Sequence, residues 1–259
     1  MSFFCKVTRG DHVESQHEIY AVAVDESEKV IFLNCDLAFK TYIRSSLKPF
    51  QAAASVHAGA VDAAGFNMDE LALMCASHNG EEIHVNTAKS MLKKLGFSKD
   101  QYECGNHAPY DKNSKEVLIR EGIDFSPFNN NCSGKHAGML ALTKHLGLKP
   151  DGYTKKDHPV QKTILDRIKT YTGLEDIPTA IDGCSAPTPY MSLFHMAVLF
   201  QKLASGTYPE LNKVYDAMVN HPYHVAGRNR FDTDFIKEMN GKIVTKVGGE
   251  AVRGLAIRT

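Results

Sequence analysis

The sequence predicts an α+β fold in which an antiparallel sheet is flanked by helices in a layered sandwich. Strand-like residues occur at both ends of the chain, helical spacing dominates the middle, and successive βαβ units are absent from the pattern. With 259 residues, of which 43% are hydrophobic, the chain can bury a substantial core. Because no Pro/Gly/Ser-rich linker divides it, we expect a single domain over residues 1–259.

The elements follow from local patterns taken in order. Two β-rich runs, residues 19–24 and 30–34, are separated by an acidic turn and predict a hairpin. Residues 242–247 and 252–257 are strand-like around Gly248-Gly249, so the sheet begun at one end is expected to be completed at the other. Helical spacing predicts helices over residues 47–60, 69–75, 82–95, 134–146, 159–172, 193–204 and 211–220.

Composition and charge exclude several functions. Thirty basic residues balance thirty acidic ones, so binding to nucleic acid is not expected. The N-terminus lacks the apolar core of a signal peptide, and no apolar run approaches the roughly 20 residues of a membrane span. Six scattered cysteines suit a reducing compartment. We therefore expect a cytoplasmic protein that does not bind a membrane.

The segment RSSLKPF, residues 44–50, contains Ser-x-x-Lys at a predicted helix start. One helical turn places Ser45 and Lys48 on the same face, where a neutral amine could accept the hydroxyl proton. Burial or nearby cations such as Arg44 would have to lower the pKa of the lysine. Alone the motif is weak, and an exposed helix start is the more frequent explanation.

Two further segments give that motif a context. Ser77-His78-Asn79 lies in a polar interruption before the predicted helix 82–95, although Ser77 could equally be a loop serine or a helix cap. Lys246 lies on a late strand and is followed by Gly248. The order Ser-x-x-Lys, Ser-x-Asn, Lys-x-Gly is typical of serine β-lactamases and penicillin-binding proteins.

Two cysteine-containing turns have no place in that pattern. They are NNCSGKHAG, residues 130–138, and DGCSAPT, residues 182–188. Cys132 and Cys184 with nitrogen or oxygen donors could bind zinc, but the usual Cys-x-x-Cys spacing is missing and buried thiols are the default interpretation. His136 is the natural third ligand by type, whereas Lys135 would first have to lose a proton; the residues alone leave both open.

Together these segments resemble the Rhizobium-type L-asparaginase family over nearly the whole chain. Segments 228–233, RNRFDT, and 104–107, CGNH, are also similar to family elements. The resemblance implies a serine β-lactamase-like fold and an amidohydrolase that converts L-asparagine to L-aspartate and ammonia. It further implies two Ser-Lys tandems, Ser45 with Lys48 and Ser77 with Lys246. Either serine could form the acyl-enzyme, with backbone N–H groups stabilising the oxyanion.

The resemblance also implies ligands and partners. It places zinc on Cys132, Lys135 and Cys184, preferring the lysine to His136, and it suggests a homodimer. The expected substrate-binding residues are Arg44, His78, Asn79, Gly134, Asp182 and Gly248. Family members continue beyond the late lysine strand, so the C-terminus is expected to be short. The alternatives are a glutaminase, a penicillin-interacting serine hydrolase, or a non-catalytic zinc-stabilised sensor or binding protein.

Overall fold

The structure, a computed structural model, describes residues 3–258. Met1, Ser2 and Thr259 of the predicted domain lie outside that range, and the single-domain assignment stays a prediction. The described chain is a mixed α+β protein, which confirms the predicted class. Its helices are α1 (Lys48–His57), α2 (Ala60–Ala63), α3 (Met68–Met74), α4 (Glu82–Leu95), α5 (Lys112–Arg120), α6 (Ser133–His145), α7 (Pro159–Thr172), α8 (Leu193–Ala204), α9 (Pro209–Asn220), α10 (Pro222–Val225) and α11 (Phe231–Glu238).

The strands form small antiparallel sheets. They are β1 (Phe3–Arg9), β2 (His12–Ile19), β3 (Val22–Val24), β4 (Val30–Leu33), β5 (Lys40–Tyr42), β6 (Thr179–Ile181), β7 (Pro187–Ser192), β8 (Ile243–Val247) and β9 (Arg253–Ile257). Within residues 3–258, β1 pairs with β2, β3 with β4 and β8 with β9, whereas β7 lies between β5 and β6. Three short 3₁₀ helices, Arg44–Leu47, Lys99–Gln101 and Pro127–Asn129, complete the elements.

The strongly periodic helices begin and end where the sequence predicts. The bounds of α4, α7 and α8 match the predicted ranges. Gly96 and Gly173 follow α4 and α7 with φ angles of 70° and 72°, a left-handed conformation that glycine adopts without strain. Ser192 caps α8 through the backbone N–H of His195. Local capping therefore fixes these ends.

The expected continuous sheet is not present in residues 3–258. The hydrogen-bonded ladders at the two ends of the chain are separate, although β3 and β9 both pack on α8. The sequence also did not predict the β1–β2 hairpin, because both of its faces are exposed and leave no burial pattern. The β-lactamase-like arrangement stays a prediction.

The core surrounds α1, whose residues from Lys48 to Ser55 are all buried. This helix packs against α6, α7 and α9. Helices α3 and α6 approach closely at Gly134, where a Cβ atom would lie 2.1 Å from the carbonyl oxygen of Leu73. Only glycine permits this contact, which brings the start of α6 beside the end of α3.

This packing brings the sequence motifs together. The 3₁₀ turn before α1, the loop after α3, the residues just before α6 and strand β8 converge around the buried amines of Lys48 and Lys246. Among residues 3–258, no helix combines the length and apolar character that crossing a bilayer requires.

Candidate active site

The hydroxyl of Ser77 lies between two buried lysine amines. Lys246 Nζ is 2.7 Å from Ser77 Oγ, and Lys48 Nζ is 3.1 Å from the same oxygen. Lys48 Nζ also donates to the carbonyl oxygens of Ala76, at 2.5 Å, and Asn131, at 3.3 Å. Lys246 Nζ donates to the carbonyl oxygen of Val247 at 2.7 Å. Both lysines are fully buried.

Burial lowers the pKa of both amines. For Lys246 burial and then the nearby charge of Lys48 lower the pKa to about 7. For Lys48 burial is again the main cause, opposed by the sulfur of Cys132. Because the two amines share one hydroxyl, a proton can pass between them through Ser77. This arrangement supplies a neutral amine, and hence a base, close to physiological pH.

Ser45 lies in the 3₁₀ turn Arg44–Leu47, which precedes α1. Arg44 has a φ of 53°, a left-handed conformation that costs energy in a residue other than glycine. Its backbone N–H donates to Thr188 Oγ1 at 3.0 Å, and its guanidinium pairs with Asp182 at 2.9 Å. Ser45 is half-buried, and within residues 3–258 no hydrogen bond joins its hydroxyl to Lys48. The amine instead contacts Ser77.

Strand β8 is attached directly to this turn. Ser46 Oγ donates to the carbonyl oxygen of Lys246 at 2.9 Å. A Cβ atom on Gly248 would lie 2.8 Å from the carbonyl oxygen of Ile43, so glycine is required where the strand meets the turn. The Ser45 turn and Lys246 are therefore held as one unit, although 200 residues separate Ser46 from Lys246.

The predicted metal ligands also lie close together. Lys135 Nζ is 2.8 Å from Cys184 Sγ, and both side chains are buried. Cys184 lies before Ser185, whose φ of 71° closes a tight turn. Cys132 Sγ is 2.9 Å from Asn131 Oδ1, and Cys132 and Cys184 shift each other's pKa. Two sulfurs and one amine thus converge at the start of α6.

These contacts set the charges of the cluster. Hydrogen bonding from Cys132 lowers the pKa of Cys184 strongly, and the Lys135 cation lowers it further against the effect of burial. Hydrogen bonding to Cys184, followed by burial, raises the pKa of Cys132. Although burial opposes the charge of Lys135, the Cys184 sulfur raises its pKa. A thiolate beside an ammonium group results.

This donor set fits zinc. Two thiolates and an amine are nitrogen and sulfur ligands of the kind Zn²⁺ prefers, and the metal would replace protons on Lys135 and Cys132. His136 has other contacts: its Nδ1 lies 2.7 Å from the hydroxyl of Tyr153, and its Nε2 is buried without a hydrogen-bond partner in residues 3–258, although the Cys184 sulfur also acts on the pKa of this ring. Burial lowers the pKa of His136.

The loop that carries Ser77 is fixed from several sides. The backbone N–H groups of Ser77 and Asn79 donate to the carbonyl oxygens of Val225 and Ala226, at 3.0 and 2.9 Å. The ring of His78 is fully buried, with Nε2 2.8 Å from Ser133 Oγ and Nδ1 accepting from Gly80 N. These contacts hold the loop, and the role of His78 in binding substrate stays a prediction.

The remaining predicted substrate-binding residues have defined contacts. The side chain of Asn79 donates to the carbonyl oxygen of Arg228 and accepts from Arg230 Nη1 at 2.7 Å. Asp182 pairs with Arg44 beside Cys184. Gly134 serves the packing of α6 on α3, and Gly248 serves the contact of β8 with the Ser45 turn. The roles of all these residues in binding substrate stay predictions.

A comparison with protein-family models decides the family. The model described as L-asparaginase II matches residues 5–259. The chain belongs to this family. The comparison with curated proteins gives no match. Membership in the L-asparaginase II family supports an amidohydrolase that acts on a small molecule, and it covers all the motifs that meet at Ser77.

Sequence reasoning missed several residues that shape this L-asparaginase II site. Asp232, 2% exposed, accepts from the backbone N–H of Val247 at 3.0 Å and pairs with Arg253. Glu81 is buried and accepts from the backbone N–H of Arg228 at 2.9 Å. Asp232 lies in the segment RNRFDT that resembles the family, and this was the available signal. For Glu81 the only signal was an acidic residue next to the Ser77 loop.

Proposed function

We propose that the chain is an L-asparaginase that hydrolyses L-asparagine to L-aspartate and ammonia through an acyl-enzyme. The observation that carries this proposal is the position of Ser77 Oγ, within hydrogen-bond distance of the amines of Lys48 and Lys246. Membership in the L-asparaginase II family supplies the substrate class. An amide hydrolase of this kind needs a base near pH 7, a serine and a route for the proton.

Ser45 is the serine that we assign to the attack. Its turn is fixed by the left-handed backbone of Arg44 and by the hydrogen bond from Ser46 to the carbonyl oxygen of Lys246. Ser77 is less suited, because it is only 7% exposed and its own backbone N–H is already bonded to Val225. That N–H therefore cannot serve as an oxyanion donor.

The proton transfers follow from the two amines. Ser45 Oγ forms a bond to the side-chain carbonyl carbon of asparagine, and its proton passes to the neutral member of the lysine pair. Ser77 relays a proton from this pair to the leaving nitrogen, the C–N bond breaks, and ammonia departs. Water then adds to the ester while the pair accepts its proton. Return of a proton to Ser45 releases aspartate.

We propose zinc as the cofactor, held by Cys132, Lys135 and Cys184. When bound it would supply positive charge and fix the start of α6. Just before this helix, the carbonyl oxygen of Asn131 accepts a hydrogen bond from Lys48 Nζ. Elemental analysis of the wild type beside Cys132→Ala and Cys184→Ala tests the assignment. We expect the wild type to hold about one zinc per chain more than either variant; equal zinc in all three would refute the assignment.

A homodimer is also proposed. It rests on the apolar side chains exposed on the N-terminal hairpins, among them Phe3, Phe4, Ile31 and Phe32. The rings of Phe3 and Phe32 lie 5.8 Å apart, and exposed apolar surface favours association. Light scattering during size-exclusion chromatography should give twice the chain mass of 28.6 kDa, and a mass of one chain would contradict the proposal.

The decisive experiment measures ammonia release from L-asparagine and L-glutamine by the purified protein. We expect turnover of asparagine that exceeds turnover of glutamine. Ser45→Ala should abolish both ammonia release and the acyl-enzyme that mass spectrometry detects after rapid quenching. Acylation of Ser77 in that variant would make Ser77 the nucleophile. If neither amide is hydrolysed, the proposed activity is wrong.

A further inference from the structure

A second cluster of metal-binding side chains lies outside the site described above. Asp69, His221 and His224 each offer one ligand atom, and these atoms all lie within 4.8 Å of one another. The carboxylate of Asp69 pairs with Nδ1 of His221. The ring centroids of His221 and His224 are 6.0 Å apart and the ring planes meet at 77°, so the two rings lie edge to face.

His224 is the member that faces the open space beside this cluster. The residue is 8% exposed, and its ring nitrogens, which hydrogen-bond to no group in residues 3–258, keep contact with solvent. They are therefore available to a ligand. His224 and Asp69 both line a cleft of about 540 Å³, whose other walls include Glu70, Glu82 and Asn86.

We propose that Asp69, His221 and His224 bind a divalent transition-metal ion such as Zn²⁺. Two imidazoles and one carboxylate, with a fourth position open to water, form a common zinc ligand set. Zinc–ligand bonds of about 2.1 Å place tetrahedral donors roughly 3.4 Å apart. Ligand atoms up to 4.8 Å apart would therefore approach by about 1.4 Å or less through side-chain rotation, and the cleft supplies the open position.

This ion would join two elements that hold the Ser77 loop. Asp69 lies in the first turn of α3. His224 belongs to α10, and His221 is the residue just before that helix. The carbonyl oxygens at the end of α10, those of Val225 and Ala226, accept from the backbone N–H groups of Ser77 and Asn79. A metal that fixes α10 to α3 thus stabilises the loop. The site itself does not depend on the proposed amidase activity.

Cobalt titration of the full chain, stripped with a chelator and desalted, tests the proposal. Co²⁺ bound by thiolates gives sulfur-to-metal charge-transfer absorption, whereas Co²⁺ on imidazole and carboxylate gives only visible d–d bands. We expect one equivalent of the second type in the wild type and in Cys184→Ser. Asp69→Asn and His221→Asn should each lose it while circular dichroism confirms their fold.

His57→Asn is the matched control. His57 also faces a carboxylate, that of Glu210 at 3.7 Å, but among residues 3–258 it belongs to no group of three metal-binding side chains. It should keep full cobalt binding. Zinc should raise Tm by roughly 5 °C in Cys184→Ser and not in Cys184→Ser/Asp69→Asn. Cobalt spectra and Tm shifts that are the same in Cys184→Ser and in Cys184→Ser/Asp69→Asn would overturn the site.

Hydrogen exchange tests the connection to the loop. With zinc bound, exchange at the backbone amides of Ser77 and Asn79 should slow about tenfold in Cys184→Ser and remain unchanged in Cys184→Ser/Asp69→Asn. Metal binding without slower exchange at these amides would overturn the proposed coupling of the ion to the Ser77 loop.

Discussion

The buried lysine pair Lys48 and Lys246 differs from the neighbouring buried lysine Lys135 in the direction of its pKa shift. Lys48 and Lys246 face backbone carbonyls and the Ser77 hydroxyl, and burial lowers the pKa of both. Lys135 is equally deep, yet the Cys184 sulfur raises its pKa against the effect of burial. Burial alone therefore does not set the charge of an amine. The partner does: neutral oxygens leave a base, and a thiolate retains a cation.

The largest expected effect concerns activity at the Ser77 pair. Lys48→Met and Lys246→Met should each lower kcat/KM for asparagine by about 10²- to 10⁴-fold, because each removes one of the two amines that handle the proton. Methionine keeps much of the buried volume, so circular dichroism should be unchanged. Lys144→Met is the control, since Lys144 also donates to a backbone carbonyl, that of Leu95. Near-normal rates in both variants would remove the pair from the mechanism.

The second effect separates the two groups by stability. In the presence of a chelator, Lys135→Met leaves the buried Cys184 thiolate without its counter-charge and should lower the free energy of unfolding by about 3–5 kcal/mol. Lys246→Met replaces an amine that folding deprotonates, so its free energy of unfolding should be equal to or above that of the wild type at pH 7. Urea unfolding measures both. Equal losses would show that the lysines have the same charge state.

The third effect is the dependence of rate on pH. A lysine acts as a base only without its proton, and burial lowers the pKa of Lys246 to about 7. The value of kcat/KM should therefore rise about tenfold per pH unit below 7 and level off above it. Stability should also rise with pH in this range. The contribution of neutral Lys246 to the free energy of unfolding is complete above its ordinary pKa of 10.5, and it is lost as pH falls from there towards 7. A flat acidic limb would contradict the assignment.

The smallest effect concerns the contact that joins the turn to β8. Ser46→Ala removes the hydrogen bond to the carbonyl oxygen of Lys246 and should cost about 1 kcal/mol of stability together with a several-fold loss of kcat. Ser55→Ala removes a buried hydrogen bond to the carbonyl oxygen of Gly138 and is the control. It should cost similar stability and leave kcat unchanged. If both variants keep the wild-type kcat, the contact does not position the site.

Much of the fold could be predicted because its helices carry their own signals. Helices α4, α7 and α8 combine helical periodicity with capping residues, which end α4 and α7 and begin α8 at fixed positions. The pairing of β5 with β7 could not be predicted, because it joins residues 40–42 to residues 190–192 across a separation that no local pattern encodes. Two exposed strands, β1 and β2, gave no burial pattern at all.

The candidate site, like the fold, could be predicted only in part from the sequence. Ser77, Lys48 and Lys246 were recognisable as motif residues, and the structure places them within hydrogen-bond distance. The carbonyl oxygens of Ala76 and Asn131 could not be predicted, because every residue carries such a group and only the fold decides which ones meet an amine. The choice of Lys135 as metal ligand rested on the family resemblance alone.

The most direct measurement is the titration of lysine side chains by NMR in metal-free protein labelled with ¹³C at Cε. Two buried lysines should titrate below their ordinary pKa, and the signal lost in Lys246→Met should have its midpoint at about 7. The signal lost in Lys135→Met should remain that of an ammonium group throughout this range. A Lys246 that titrates near 10.5, together with Lys135, would contradict the distinction between the two groups.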